Sequence, residues 1–98
     1  MKITDIKTCQ ARFGYVRVYT DEGLYGTGEL SHQGAGWRPI VDSMARMLIG
    51  EDPRDVDMCF EKVRRAFIFQ GGMSGHTISA LTGIEVALWD LAGKAAGT

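Results

Sequence analysis

The sequence predicts an α+β domain: a three-stranded antiparallel meander followed by a helical bundle, with the helices packed on one face of the sheet. Three observations lead there. Strand-like alternation is confined to Lys2 to Glu29, and helical spacing of apolar residues takes over from Trp37. Strands segregated ahead of helices favour α+β over alternating βαβ units. The last helical segment, Thr77 to Lys94, is apolar nearly all the way round, as a helix covered on two sides would be.

The first strand is the β-rich run Lys2 to Cys9. In the second, Tyr15 to Thr20, Val16, Val18 and Thr20 alternate with Tyr15, Arg17 and Tyr19, as a half-buried strand requires. Asp21, Glu22 and Gly23 turn the chain, and so short a link makes the third strand, Leu24 to Glu29, an antiparallel hairpin partner of the second. Gly26 and Gly28 weaken that strand intrinsically and mark a place where another backbone or side chain comes close.

A loop from Leu30 to Gly36 leads into a helix on which Trp37, Ile40, Val41, Met44 and Leu48 keep the helical period. Pro39 near its first turn and Gly50 past its end are start and stop signals. For the second helix Asp52 is the expected N-cap, Pro53 the first helical residue and Asp55 the acid of the first turn. Val56, Cys59, Phe60, Val63 and Phe67 form its apolar stripe. Gly71, Gly72 and Gly75 separate it from the third helix, where Ile78, Leu81, Leu88 and Leu91 lie along one side. Ile84, Val86, Ala87 and Trp89 widen the apolar surface beyond a surface-helix stripe, and the preceding residues can cover one side only. With Thr98 four residues beyond Lys94, the chain is expected to be the front part of something larger.

Composition bounds the function. With 98 residues, 45% hydrophobic, one domain with a modest core is the natural count. A formal net charge of -1 lacks the concentrated basic field that nucleic acid or a membrane surface requires, and Lys62, Arg64 and Arg65 read as a solvated helix face. Cys9 and Cys59 are far apart, without CxxC or Cys/His ligand spacing, which is cytosolic usage. The N-terminus lacks the apolar run of a signal peptide and no stretch is long enough for a membrane span, so the expected location is the cytoplasm.

Catalytic groups do not assemble. Gly26-Thr27-Gly28 is followed by Ser31 where a dinucleotide fingerprint needs glycine, and the glycine run before the third helix lacks the Lys-Ser/Thr pair of a phosphate loop. His32 lies in a loop, a place favoured by substrate-contacting residues, while His76 stands near a helix start; neither has metal-ligand spacing. Asp55 and Asp57 face different directions and read as capping and solubility, Glu85 and Asp90 as ion pairs at a domain boundary. No acid/base or nucleophilic constellation is complete.

Four segments resemble the enolase superfamily, specifically its mandelate racemase and muconate-lactonizing group: MKITDIKT at the start, VRVYTDEGLYGTGE at Val16 to Glu29, LIGEDPRDVD at Leu48 to Asp57, and SALTGIEVALWDLAGKAAGT at Ser79 to Thr98. The GI-x-x-ALWDL-x-GK pattern in the last is the most distinctive. The resemblance implies that residues 1–98 are an N-terminal capping domain, and that a barrel of about 250 residues follows it. That barrel would hold a Mg ion, its carboxylate ligands and the acid/base residues, leaving no catalytic residue and no metal ligand in this chain.

By position, the family's two substrate-covering loops match Gln10 to Gly14 and Ser31 to Trp37. There Arg12 and His32 could hydrogen-bond hydroxyls or a distal carboxylate, and Phe13 and Trp37 could pack against the carbon skeleton, Trp37 serving equally as the first buried position of its helix. The short first loop is similar to the branch that dehydrates sugar acids. The expected parent is therefore a Mg-dependent aldonate or aldarate dehydratase working by α-proton abstraction and β-elimination of water, with an acid sugar and the C-terminal barrel as partners and a homo-oligomeric full-length form. A racemase or cycloisomerase of the same superfamily, and a stand-alone binding or assembly module derived from the cap, are the alternatives.

Overall fold

The computed structural model describes residues 1–10, 14–30, 37–67 and 75–97. Three strands, β1 (Ile3–Gln10), β2 (Gly14–Thr20) and β3 (Tyr25–Leu30), form one antiparallel sheet in the order β1-β2-β3. Three helices follow: α1 (Trp37–Leu48), α2 (Val56–Ala66) and α3 (Gly75–Ala95). The meander and bundle expected of the sequence are both present, with strand limits within a residue or two of the expected ones.

Period-two patterning decides the sheet's faces. Ile6, Val16, Val18, Thr20 and Leu30 are buried beneath the helices, while Tyr15, Arg17 and Tyr19 remain half-exposed on the other side. The ladder pairs Ile6 with Val18 and Val18 with Gly26, so one buried row crosses all three strands. Gly23, at φ +81°, supplies the left-handed residue of the β2–β3 turn. Gly50, at φ +90°, ends α1, and its N–H donates to the Ile3 carbonyl at 2.8 Å while the Ile3 N–H donates to Glu51 at 2.8 Å. That exchange ties the end of α1 to the beginning of β1.

The second helix begins later than the sequence suggests. Asp52 is not an N-cap: its carboxylate accepts the Arg54 backbone N–H at 3.0 Å and both Arg54 guanidinium donors at 3.0 and 2.8 Å, closing a turn around buried Pro53. Those bonds hold the Asp52 carboxyl down at about 2. Asp55 is the N-cap residue, without a side-chain cap, and its carbonyl accepts the first helical bond from Cys59 at 3.1 Å. Val56, Cys59 and Val63 are buried, whereas Phe60 and Phe67 are only half-buried. Lys62, Arg64 and Arg65 do form a solvated face, paired with Glu51 and Glu61.

The tightest junction lies between β3 and α3. A Cβ on Gly28 would overlap the Gly83 carbonyl oxygen, and one on Gly26 would overlap the Ala87 carbonyl oxygen and stand 2.8 Å from Leu91 Cβ. On the facing side, a Cβ on Gly83 would come within 2.8 Å of Leu30 Cδ2. Three glycines thus let helix and strand meet backbone to backbone, the close approach that Gly26 and Gly28 announce. Around that seam Ala80, Leu81, Ile84, Ala87, Leu88 and Leu91 are buried.

Polar groups complete the junction. Asp90 Oδ2 accepts the Thr27 backbone N–H at 2.9 Å, and Lys94 Nζ donates to the Tyr25 carbonyl at 2.9 Å. Both backbone groups lie on the outer edge of β3, which would otherwise invite another strand. Lys94 also stands 4.7 Å above the Tyr25 ring, with the Arg17 guanidinium at 4.9 Å. The Thr27 bond, helped by Lys94, lowers the Asp90 pKa against a smaller opposing effect of burial.

Two outcomes test this junction by urea unfolding. Gly28→Ala is expected to cost about 3 kcal/mol or more, because the clash is with backbone and no side chain can rotate to relieve it; Gly23→Ala, strained only by its φ, should cost about 1 kcal/mol. Equal losses would mean that the close seating is absent. Asp90→Asn should cost about 1 kcal/mol near neutral pH, discounted for a side chain 38% exposed. Because the folded-state pKa of Asp90 is depressed, its contribution is complete above the ordinary carboxylate range and fades as pH falls through the folded value. The gap between wild type and Asp90→Asn should therefore close on acidification, and a pH-independent gap would exclude an ionic role.

Candidate functional site at the loop end of the sheet

The direction of each element brings several chain termini to one end of the domain. β1 leaves the sheet at Gln10 and β2 enters at Gly14, which pairs with Gln10 on one side and Leu30, the last residue of β3, on the other. α1 runs antiparallel to β1: its end is bonded to Ile3, and Arg38 and Asp42 of its first turns lie beside Asp5 to Thr8. α3 runs antiparallel to β3, since Leu91 faces Gly26 and Gly83 faces Gly28 and Leu30, so its N-terminal turns extend past Leu30. The roots of segments 11–13 and 31–36 and the starts of α1 and α3 therefore share one end.

Arg12, Phe13 and His32 lie outside the described residues. Trp37 is the first residue of α1, but its side chain is outside the description, as are those of Cys9 and His76. The glycine run 71–74 also lies outside it, with Gly75 as the first residue of α3. Gln10, Gly14 and Leu30, which border segments 11–13 and 31–36, stand side by side across the sheet.

Next to these roots is an open groove of about 410 Å³ between β1 and α1, lined by Asp5, Ile6, Lys7, Thr8, Arg38 and Asp42. Its four charges cancel, and Lys7 lies 3.6 Å from Asp5. Asp5 Oδ1 is further occupied by the Ile6 N–H at 2.9 Å. Such a lining can bind polar groups but offers no base poised on a nucleophile. The i,i+4 spacing of Arg38 and Asp42 on α1 is the sequence signal for it.

No nucleophile or metal cluster emerges elsewhere among the described residues. Cys59 is a free thiol in the core, pushed up to about 11 chiefly by burial, and so is inert at neutral pH. No group of three or more His, Cys, Asp or Glu among these residues could hold a metal ion, so no step of chemistry is assigned through one. No helix among them is long and apolar enough to cross a membrane. Asp90, expected in an ion pair, does pair with Lys94 at 3.3 Å within α3, and it also serves the edge of β3.

The glycine-seated meander-and-bundle brings its loop roots to one end, and no catalytic set is assembled among the described residues. Over residues 1–98 the chain matches the family described as mandelate racemase / muconate lactonizing enzyme, N-terminal domain, and it belongs to that family. It is 43% identical over 97 residues to the D-xylonate dehydratase of Haloferax volcanii, covering 95% of this chain and 23% of that protein. It is 37% identical to the D-galactonate dehydratase of Verminephrobacter eiseniae, covering 99% of this chain and 26% of that one. A mandelate racemase/muconate lactonizing enzyme-like protein from Rubrobacter xylanophilus superposes with a TM-score of 0.90 at 46% identity, covering 97% of this chain and 25% of that one. An enolase from Agrobacterium radiobacter, solved with Na and L-malate bound, does so with a TM-score of 0.90 at 30% identity, covering 98% of this chain and 26% of that one. The chain thus spans about a quarter of the length of these relatives.

Proposed function

We propose that this chain is the substrate-capping domain of a sugar-acid dehydratase acting on aldonates or aldarates. The observation that carries the reading is its likeness, along nearly its whole length, to proteins named D-xylonate dehydratase and D-galactonate dehydratase. The convergence of both loop roots at one end of a stiff sheet supports it, because a lid needs adjacent anchors that do not move. In the parent reaction a base takes the proton from the carbon beside the carboxylate. The 3-hydroxyl then leaves as water, and the enol product becomes a 2-keto-3-deoxy acid.

This chain's share is to cover the far end of the substrate and exclude water, which strengthens electrostatics in the site and protects the intermediate. Arg12 and His32 would bond hydroxyls or a distal carboxylate, and Phe13 and Trp37 would pack against the carbon chain. Proton transfer and any Mg ion belong to the remainder of a cytoplasmic parent, as does the determination of its oligomeric state.

Incubation of the intact protein with xylonate, galactonate and other aldonic and aldaric acids should yield 2-keto-3-deoxy product. Racemisation or cycloisomerisation alone would overturn the dehydratase reading. His32→Ala and Arg12→Ala should each raise KM about tenfold or shift preference among sugar acids, consistent with one lost polar contact, while leaving the pH profile of kcat unchanged. A shifted kcat profile would instead place these residues in proton transfer.

A further inference from the structure

The two edges of the sheet are finished differently. Along β3 the Thr27 N–H and the Tyr25 carbonyl are taken by Asp90 and Lys94 of α3. β1 is the opposite edge. At its start Ile3 turns both main-chain groups outward, to Glu51 and Gly50. Past the irregularity between Ile3 and Asp5, the Ile6 N–H donates to Asp5 Oδ1 at 2.9 Å. Ile6 therefore also faces outward, and alternation along an antiparallel ladder turns Thr8 the same way. Among the described residues no other hydrogen bond reaches the outer edge of β1 from Ile6 to Thr8, so a strand-accepting edge stands open there, beside the groove between β1 and α1. Asp5 and Lys7, paired in the ladder with Tyr19 and Arg17, stand on the outer face of this edge, 49% and 66% exposed and 3.6 Å apart. Arg38 and Asp42 of α1 line the same groove, are exposed, and pair with no other described residue.

We propose that this edge docks a second copy of the chain, joining β1 to β1 across a two-fold axis at Ile6 into one continuous sheet. The occupant follows from charge. With Ile6 opposite Ile6, Asp5 of each copy stands opposite Lys7 of the other, at the close spacing of a non-hydrogen-bonded pair, about 4.5 Å between Cα atoms. A shift that puts the axis at Lys7 sets the two lysines opposite each other, and one that puts it at Thr8 leaves Asp5 without a partner. Charge therefore selects one register. In it the Ile6 N–H passes from the Asp5 carboxylate to the Ile6 carbonyl of the second copy, and the carboxylate gains the facing Lys7. The same axis runs the two α1 helices antiparallel, the direction in which Arg38 of one copy meets Asp42 of the other. Strand and helix are thus self-complementary about one axis, as an isologous interface requires. The pairing steadies the strand that ends at Gln10, beside segment 11–13. It goes beyond the capping reading and does not depend on which acid the parent protein turns over.

The test is made on the intact native protein, with its native mass measured by analytical ultracentrifugation. Lys7→Glu sets acids opposite acids and Asp5→Lys sets bases opposite bases. Each should halve the native mass, and the double exchange Asp5→Lys, Lys7→Glu should restore it. A wild-type mass equal to one chain, a mass that neither single exchange lowers, or a loss that the double exchange does not restore would each overturn the proposal. Cross-linking reads the same register independently of charge. In a protein carrying Asp5→Cys together with Lys7→Cys, mild oxidation should link the chains into covalent dimers, because the facing positions lie within disulfide reach. Neither single-cysteine variant should exceed the wild-type background, and a double variant that stays at that background would overturn the proposal. Failure of every sugar acid as a substrate would refute the dehydratase reading and leave both of these readouts unchanged.

Discussion

Backbone contact between β3 and α3 is the constraint on which the rest of the domain depends. Gly26 and Gly28 on the strand and Gly83 on the helix remove the side chains that would hold the two elements at ordinary packing distance. An ordinary helix-on-sheet contact leaves a layer of side chains between backbones and some freedom to slide. Here the Gly28 position is filled by a carbonyl oxygen, and a displaced helix would drive that oxygen into the strand. The helix is therefore fixed in height, direction and rotation together.

Rotation matters most, because it settles what each side of α3 does. With Gly83 and Ala87 against the strand, Asp90 and Lys94 fall beside the β3 edge and reach Thr27 and Tyr25. The edge is closed by side chains from the helix that already packs on it, without another strand. The same rotation buries Leu81, Ile84, Leu88 and Leu91 against the sheet, α1 and α2, and leaves Val86 and Trp89 outward. One geometric fact thus accounts for the core, the covered edge and the open stripe.

Much of this is legible in the residues. The period-two run of β2, the Asp-Glu-Gly turn and the helical spacing of α1 each have one physical reading, and the structure follows it. Gly26 and Gly28 announce a close approach, yet a sequence cannot say to what; Gly83 lies far along the chain and has no special local signal. Asp52-Pro53 misleads because an aspartate before proline serves equally as N-cap or as turn former, and here Arg54 takes its carboxylate first. Asp90 reads as one half of an ion pair, which it makes with Lys94, but its second partner is a backbone amide from a strand more than sixty residues earlier, a kind of partner that leaves no mark in composition. At the candidate site the loop roots follow from strand order, whereas the Arg38 and Asp42 groove needs the packing angle of α1 on β1.

The charge pattern bears on what makes the domain rigid. Ion pairs are concentrated on the helices and turns, among Glu51, Lys62, Glu61, Arg64 and Arg65, and exposed pairs of this kind contribute little to stability. Rigidity comes instead from the apolar core and the glycine seam, neither of which is held by charge. A body built this way keeps Gln10, Gly14 and Leu30 in place whatever the charges around them. The ladder pairs Gln10–Gly14 and Gly14–Leu30 close the sheet at that end, so its last rung is held by backbone hydrogen bonding rather than by charge.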